Sequence, residues 1–112
     1  MNDLTIIVNI LNPKQITNTS FFSKNYVLYE ISTPQFNWVV NRRYSDFIWL
    51  RDCLKYFFPG DTLPFLPKKK IGKRNFEQDF INKRAQGLQN FMNEVINNEK
   101  FKASEVLNIF LS

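Results

Sequence analysis

The sequence contains no histidine and only one cysteine among its 112 residues. Histidine is the commonest general base and the commonest metal ligand in proteins, so its absence removes most acid–base and metal-dependent reactions. Cys53 has no histidine that could activate it as a nucleophile, and no second cysteine with which to form an intrachain disulfide. We expect no catalytic residues, no metal site and no cofactor in this protein.

Glycine and long apolar segments are equally scarce. The three glycines are scattered along the chain, so none of them belongs to a phosphate-binding loop of the P-loop type. No apolar run approaches the roughly 18 residues that a membrane-spanning helix requires, and Met1 is not followed by the basic start of a signal peptide. These absences predict a cytoplasmic protein.

Apolar and aromatic residues are abundant: 44% of the residues are hydrophobic, 16% are aromatic, and twelve are phenylalanine. This composition is sufficient for a packed core, and the length predicts one domain that covers residues 1–112. Positive charge is concentrated in the middle, where residues 42–74 contain nine lysines and arginines against three aspartates. Such an asymmetry indicates an anionic partner, either a nucleic acid or an acidic membrane surface.

Three segments have the apolar and β-branched character of strands, and they are residues 4–11, 26–32 and 36–43. Asn12 and Pro13 are expected to end the first strand because both residues favour turns. Residues 32–35 are predicted to form a tight turn between the second and third strands. Sequential strands with short connections most simply form an antiparallel meander.

Helical periodicity begins directly after the third strand. Apolar residues recur at intervals of three and four from Phe47 onwards, which predicts a helix over residues 46–58 with Ser45 as its N-cap. A long amphipathic helix over residues 76–97 follows, and a short helix begins after Ser104. The predicted fold class is α+β: a three-stranded antiparallel β-meander packed against a helical subdomain of three to four helices, with a proline-rich loop between the first and second long helices.

Basic residues lie on three of these predicted elements. Arg43 ends the third strand, residues 68–70 are three lysines after a stiff Pro64-x-x-Pro67 segment, and Arg84 lies on the apolar face of the long helix. If the sheet packs against both helices, these cations can meet at one edge. Together with the flat ring of Tyr44 they would suit a small phosphorylated ring.

Each of these residues also has a purely structural interpretation. Arg43 and Tyr44 could be a surface cation and a core ring, and the lysines of residues 68–70 could belong to a solvated loop. The stem of Arg84 could extend to solvent, or its guanidinium could bond a carboxylate such as that of Asp46.

Four segments resemble motifs of phox-homology (PX) domains, in the order and spacing of that family. Residues 42–47 (RRYSDF) resemble its R-R-Y-x-x-F motif, and residues 63–69 (LPFLPKK) resemble its Ψ-P-x-x-P-x-K loop, in which Ψ is a large aliphatic residue. Residues 80–88 (FINKRAQGL) resemble its F-x-x-x-R-x-x-x-L helix, and residues 106–111 resemble its closing F-L helix. The resemblance covers nearly the whole chain and is closest to the sorting nexins.

The resemblance implies that the protein binds phosphoinositides, above all phosphatidylinositol 3-phosphate. Carried over by position, Arg43 would hold the 3-phosphate and Tyr44 would stack beneath the inositol ring. Lys69, or Lys68 in its place, would reach the 1-phosphate, and Arg84 would bond the 4- and 5-hydroxyls. The implied role is peripheral recruitment of the parent protein to endosomal membranes, in sorting and trafficking.

Further positions are predicted as secondary or membrane-contacting, and they are Ser45, Lys68, Lys70, Ile71, Lys73 and Arg74. Ile71 is the only apolar residue between Pro67 and Phe76, so we expect shallow insertion into the bilayer. Strand alternation places Arg42 on the face opposite Arg43. The extra phosphate of a bis-phosphorylated lipid could nevertheless use Arg42 or Lys73.

The alternative function is a protein–protein interaction module of the same fold, with weak or no lipid specificity. The proline segment also has the form of a Src-homology ligand, although its position between two helices gives it a structural role. Protein partners could also act through the parent protein. Nucleic acid is not an expected partner, because neither an aromatic stacking sheet nor a recognition helix is evident.

Overall fold

The computed structural model describes residues 5–17, 25–69 and 77–112. Three strands come first: β1 (Asn9–Ile16), β2 (Tyr26–Thr33) and β3 (Trp38–Arg43). The helices that follow are α1 (Tyr44–Phe57), α2 (Gln78–Asn97), α3 (Glu99–Lys102) and α4 (Glu105–Leu111). The strands form one antiparallel sheet in the order β1-β2-β3, so the predicted meander and the α+β fold class are confirmed.

The first strand begins later than predicted, at Asn9. It also ends later, because it continues through Asn12 and Pro13 to Ile16. Its pairing register with β2 shifts between Leu11 and Lys14, and Asn12 has a left-handed backbone with a φ of 48°. Proline has no N–H to donate, and a bulge on an edge strand tolerates that loss. The predicted end at residue 11 is wrong because Asn12 and Pro13 form a bulge within the strand instead of its end.

The connection from β2 to β3 is a single 3₁₀ turn, Pro34–Phe36, followed by Asn37 with a φ of 56°. Asparagine is among the few residues that tolerate this left-handed conformation. The third strand consequently begins at Trp38, two residues after its predicted start. The ring of Phe36, which is predicted to lie in the strand, instead packs against Trp38 with the centroids 4.7 Å apart.

Helix α1 begins directly at the end of β3. Its N-cap is Arg43, and the prediction of Ser45 is wrong, because the backbone N–H of Arg43 donates to Oδ2 of Asp46 at 2.8 Å. The carboxylate of Asp46 satisfies this backbone donor and lies where the helix dipole favours an anion. Arg43 and Tyr44 are consequently held at a junction between strand and helix that has no intervening loop.

Phe47 of α1 lies at the centre of the core. Its ring meets the rings of Tyr29, Phe91 and Phe110 edge to face, at centroid distances of 6.3, 6.5 and 5.0 Å. Aromatic pairs in this geometry contribute about 0.5–1.5 kcal/mol each beyond their burial. The three partners belong to β2, α2 and α4, so one buried ring joins the sheet to the helices.

A side-chain amide joins α2 to the edge strand. Oε1 of Gln89 accepts from the backbone N–H of Ile10 at 2.8 Å, and its Nε2 donates to the carbonyl of Val8 at 2.7 Å. The amide pairs with the backbone as a neighbouring strand would, and so covers part of the free edge of β1. The sequence does not indicate this role for Gln89, because the partner strand lies far away along the chain.

The remaining helices agree largely with the sequence. Ser104 caps α4, as predicted, by accepting from the backbone N–H of Leu107 at 3.3 Å. Helix α2 begins at Gln78, two residues later than predicted. The short helix α3 is capped by the side chain of Asn98 and is not predicted as a separate element. Across the ranges described, every helix is too short or too polar to cross a bilayer.

Candidate anion-binding site

A pocket of about 180 Å³ opens where β2, β3, α1 and α2 meet residues 63–69, which we call the proline loop. The residues that line it are Asn25, Tyr26, Val27, Tyr29, Arg43, Tyr44, Ser45, Ile48, Lys69 and Arg84. All four positions predicted from sequence to bind a ligand, Arg43, Tyr44, Lys69 and Arg84, lie in this pocket. The secondary position Ser45 also lines it.

Arg43 enters the pocket from the end of β3. The Cζ of its guanidinium lies over the ring of Tyr26, 4.1 Å from the ring centroid. Within residues 5–17, 25–69 and 77–112 this guanidinium makes no hydrogen bond or ion pair. Its planar N–H donors are available to an anion, and one face is covered by an aromatic ring.

Arg84 reaches the same pocket from α2, between two aromatic rings. Its Cζ lies 4.1 Å from the ring centroid of Tyr44 and 4.5 Å from that of Phe80. Nη2 donates to the carbonyl of Lys68 at 3.1 Å, whereas the buried Nε has no hydrogen-bond partner in the described part of the chain. A buried donor without a partner costs about 1–3 kcal/mol. The rings of Tyr44 and Phe80 and the carbonyl of Lys68 therefore define the position of Arg84 in the pocket.

The charges of the pocket follow from burial and proximity. Burial lowers the pKa of Arg84, and the nearby Tyr29 and Tyr44 oppose that shift. Burial raises the pKa of both tyrosines, and Arg84 opposes the rise in each. At neutral pH the guanidinium is charged and the phenols are neutral. The pairing of Arg84 with Asp46 is not found, because Asp46 accepts from the backbone of Arg43.

Besides the bond from Arg84 to the carbonyl of Lys68, three contacts hold the proline loop against the pocket. The hydroxyl of Tyr44 donates to the carbonyl of Pro67, and Nε of Arg51 donates to the carbonyl of Pro64 at 3.1 Å. Gly87 of α2 lies so close to Pro67 that a Cβ there would overlap the proline Cγ. These contacts fix the path of the loop before any ligand arrives, and with it the position of its lysines.

The two described lysines of the proline loop lie on different sides of it. Lys69 lines the pocket, whereas Lys68 is exposed and borders neighbouring clefts together with Phe65 and Pro67. Lys68 is therefore poorly placed to substitute for Lys69, and it contributes its carbonyl to Arg84 instead. The other secondary positions lie outside the described residues: Lys70, Ile71, Lys73 and Arg74.

Arg42 lies on the opposite face of the sheet, as strand alternation predicts. Its Nε donates to the carbonyl of Phe110 at 2.9 Å, and Nη2 donates to the carbonyl of Ile109 at 3.1 Å. These carbonyls end α4, where the helix dipole favours a cation. Arg42 is consequently unavailable to a second phosphate in the pocket, and the expectation that it could take one is wrong.

Sequence reasoning missed two aromatic residues of the pocket, Tyr26 and Tyr29. The strand register pairs Leu28 with Arg43, which places Tyr26 diagonally across from that arginine on the same face. Tyr29 is buried in the core and still lines the pocket. The signal that identifies Tyr26 is the pairing register, which appears only once the strands are aligned.

Comparison with known proteins gives consistent matches. The family model of the PX domain matches residues 31–112, which is more than half of the chain. The chain is 42% identical over 79 residues to the sorting nexin MVP1 of Candida glabrata, and the match covers 70% of this chain but only 16% of that protein.

Two solved structures have the same architecture. A designed CISK-PX domain superposes with a TM-score of 0.81 and 28% identity, over 95% of this chain and 98% of that one. In the cryo-EM structure of the SNX-BAR Mvp1 tetramer the match has a TM-score of 0.76 and 31% identity, over 94% of this chain and 30% of that one. The motifs, the fold and these matches agree, and the chain belongs to the PX domain family.

Proposed function

We propose that this chain is a non-enzymatic module that binds phosphoinositides, with phosphatidylinositol 3-phosphate as its ligand. The observation that carries the proposal is that Arg43, Lys69 and Arg84, from three separate elements, share one pocket. No acidic side chain is among the described residues that line it. A small pocket with three cations and an aromatic wall favours a compact, multiply anionic ring.

Each residue has a distinct part in this assignment. Arg43 holds the 3-phosphate with its planar donors, and Tyr44 packs beneath the inositol ring. Lys69 reaches the 1-phosphate that joins the headgroup to the lipid, while the guanidinium of Arg84, which also lines the pocket, bonds the 4- and 5-hydroxyls. Charge-assisted bonds of this kind contribute roughly 1.5–3 kcal/mol each.

The preference for a monophosphorylated ring is supported by how the cations are distributed. Arg84 is already engaged with the carbonyl of Lys68 and with two rings, and Arg42 is bound to the end of α4. Among the described residues, Arg43 and Lys69 are then the cations left for phosphate groups. Two such groups are present in the headgroup of phosphatidylinositol 3-phosphate, at positions 1 and 3.

Membrane recruitment follows from the same assignment. We infer that the module brings its parent protein from the cytoplasm to endosomal membranes as a peripheral protein, because sorting nexins are among its relatives. Lys68, Lys70, Lys73 and Arg74 would each add about 1 kcal/mol near an anionic leaflet. The chain covers only 16% of the length of the relative from Candida glabrata, so cargo and protein partners are assigned to the parent protein.

Sedimentation with vesicles at fixed salt tests the assignment. Arg43→Ala is expected to weaken binding to vesicles that contain phosphatidylinositol 3-phosphate by about 10- to 100-fold, which corresponds to one charge-assisted contact. Arg43→Lys keeps the charge but loses the bidentate geometry, so we expect it to recover only part of the loss. Lys55→Ala removes one positive charge from an exposed position of α1 outside the pocket and is the matched control.

A panel of vesicles with other phosphoinositides decides the specificity. The proposal predicts that binding is strongest with the 3-monophosphate and weaker with the 4-phosphate and with bis-phosphates. Unchanged lipid-specific binding by Arg43→Ala would refute the site. Titration with soluble headgroup that leaves the resonances near Arg43 unmoved would favour the protein-interaction module instead.

A further inference from the structure

We propose that Tyr26 is a positioning residue that orients the Arg43 guanidinium for the phosphate. The inference rests on the proposed function, because it concerns how the phosphate-binding arginine of that site is held. The ring of Tyr26 covers one face of the guanidinium, with Cζ 4.1 Å from the ring centroid. Both side chains line the pocket.

The sheet register explains why these two residues meet. Leu28 of β2 is directly opposite Arg43 of β3, and Tyr26 is two residues from Leu28 on the same strand. Diagonal neighbours on one face of an antiparallel pair are within reach of aromatic and long side chains. The contact is set by the backbone pairing of two strands, which fixes it independently of any ligand.

A stacked ring suits a phosphate-binding arginine better than a carboxylate would. A carboxylate partner would occupy the in-plane N–H donors that a phosphate needs and would neutralise the charge. An aromatic ring contacts only the face of the guanidinium and leaves every donor on its edge free. In the described part of the chain, this guanidinium makes no hydrogen bond or ion pair, and its ring contact is with Tyr26.

Restricting Arg43 before binding strengthens the complex. Arginine loses side-chain entropy when a flexible guanidinium is immobilised, and Arg43 is exposed at the end of an edge strand. The ring of Tyr26 limits the positions of the guanidinium in the free protein, so less entropy is lost when the phosphate binds. The Tyr26 hydroxyl has no part in this role, whereas the ring is essential to it.

The experiment compares variants that keep or remove the ring. Affinity for a soluble short-chain phosphatidylinositol 3-phosphate is measured by calorimetry for wild type, Tyr26→Phe and Tyr26→Leu. We expect Tyr26→Phe to bind as wild type does and Tyr26→Leu to bind about 2- to 5-fold more weakly, as the loss of an exposed cation–π contact implies. Tyr56→Leu, a change at an exposed ring far along α1, is the matched control.

A second readout does not depend on binding. In the free wild-type protein the side-chain Nε–H resonance of Arg43 is expected to be shifted upfield by the ring current of Tyr26, and to move to its ordinary position in Tyr26→Leu. Tyr26→Met, a flexible apolar residue without a ring, replaces Tyr26→Leu if the latter does not fold.

The outcomes separate the inference from the proposed function. If Tyr26→Leu or Tyr26→Met binds the soluble lipid as tightly as wild type does, the role of Tyr26 is overturned, but the proposed headgroup site is not. An equal loss in Tyr26→Phe and Tyr26→Leu also overturns it, because the hydroxyl and not the ring would then matter. Failure of the wild type to bind the soluble lipid overturns the proposed function, and the inference with it.

Discussion

Arg42 and Arg43 are adjacent and chemically identical, yet they lie on opposite faces of β3. Arg42 donates to the last carbonyls of α4 and lies 5.6 Å from the ring centroid of Phe110, so its contribution is to stability. Arg43 lines the pocket and keeps its donors free of protein partners among the described residues. Charge and residue type do not distinguish the two arginines. Strand alternation distinguishes them, because it places their side chains on opposite faces of the sheet.

This division of roles predicts opposite phenotypes for two single substitutions. Arg42→Ala removes charge-assisted bonds at a helix end and should lower the free energy of unfolding by about 1–2 kcal/mol, with headgroup affinity unchanged. Arg43→Ala should leave the free energy of unfolding within about 0.5 kcal/mol of wild type while headgroup affinity falls. Urea denaturation and titration with soluble headgroup measure the two quantities. Equal loss of affinity in both variants would contradict the assignment.

At the scale of elements, the proline loop determines the geometry of the pocket. Its carbonyls accept from Tyr44, Arg51 and Arg84, which belong to α1 and α2. Two prolines stiffen the segment, so these few contacts are sufficient to fix its path. The proline loop therefore connects α1 and α2 rigidly, and it also carries Lys69.

Gly87→Ala tests this connection through the close contact between Gly87 and Pro67. Glycine to alanine in a helix ordinarily stabilises a protein by up to about 1 kcal/mol. Here the added Cβ would overlap Pro67 Cγ, so we expect the free energy of unfolding to fall by about 1–3 kcal/mol and headgroup affinity to fall with it. Urea denaturation measures the sign of the change in the free energy of unfolding. A stabilised variant would show that the proline loop can move away from the added Cβ at no cost.

A control for this change is available on the same helix. Gln86 is exposed, and in the described structure its side chain bonds only to the side chain of Asn90, at 3.1 Å. Gln86→Ala introduces the same residue one position earlier without reaching Pro67. Both the free energy of unfolding and the headgroup affinity of this variant should remain close to those of the wild type.

The molecule as a whole combines a net charge of +5 with an exposed aromatic side chain beside the pocket. Phe65, on the proline loop, is 72% exposed and borders a cleft that Lys83 and Arg84 also line. An aromatic ring flanked by cations suits the surface of an anionic bilayer, where the ring enters the headgroup layer and the cations meet lipid phosphates. Under the proposed function, we expect binding to a soluble headgroup to use the pocket alone and binding to a membrane to use this surface as well.

Phe65→Ala should accordingly separate the two kinds of binding. Affinity for soluble headgroup should be unchanged, while binding to vesicles should weaken by roughly 3- to 10-fold because apolar area no longer enters the bilayer. Tyr56, on α1, is 77% exposed and lines none of the clefts around the pocket, so Tyr56→Ala is the control. Parallel calorimetry and sedimentation measure both affinities, and a vesicle affinity that Phe65→Ala leaves intact would exclude this surface from membrane contact.

The order of the elements and the fold class could be predicted from the sequence, and its resemblance to PX motifs identified the four residues that share the pocket. Hydrophobic periodicity depends on local geometry, with a period of two residues in a strand and 3.6 in a helix. It can therefore be recognised in the sequence before the fold is known. The motif around Arg43 and the spacing to Lys69 and Arg84 are likewise properties of the linear chain. Errors in the strand bounds arose where one residue, Pro13 or Asn37, could either end a strand or occupy a bulge or turn.

The contacts that these residues make could be identified only from the folded structure. The cap of α1 is Arg43 because a carboxylate three residues later reaches back, and the partner of Arg84 is the carbonyl of Lys68 rather than Asp46. Tyr26 joins the pocket only through the register of β2 against β3. Such contacts depend on strand register and on packing between distant segments. The linear sequence specifies them only through the free energy of the whole fold.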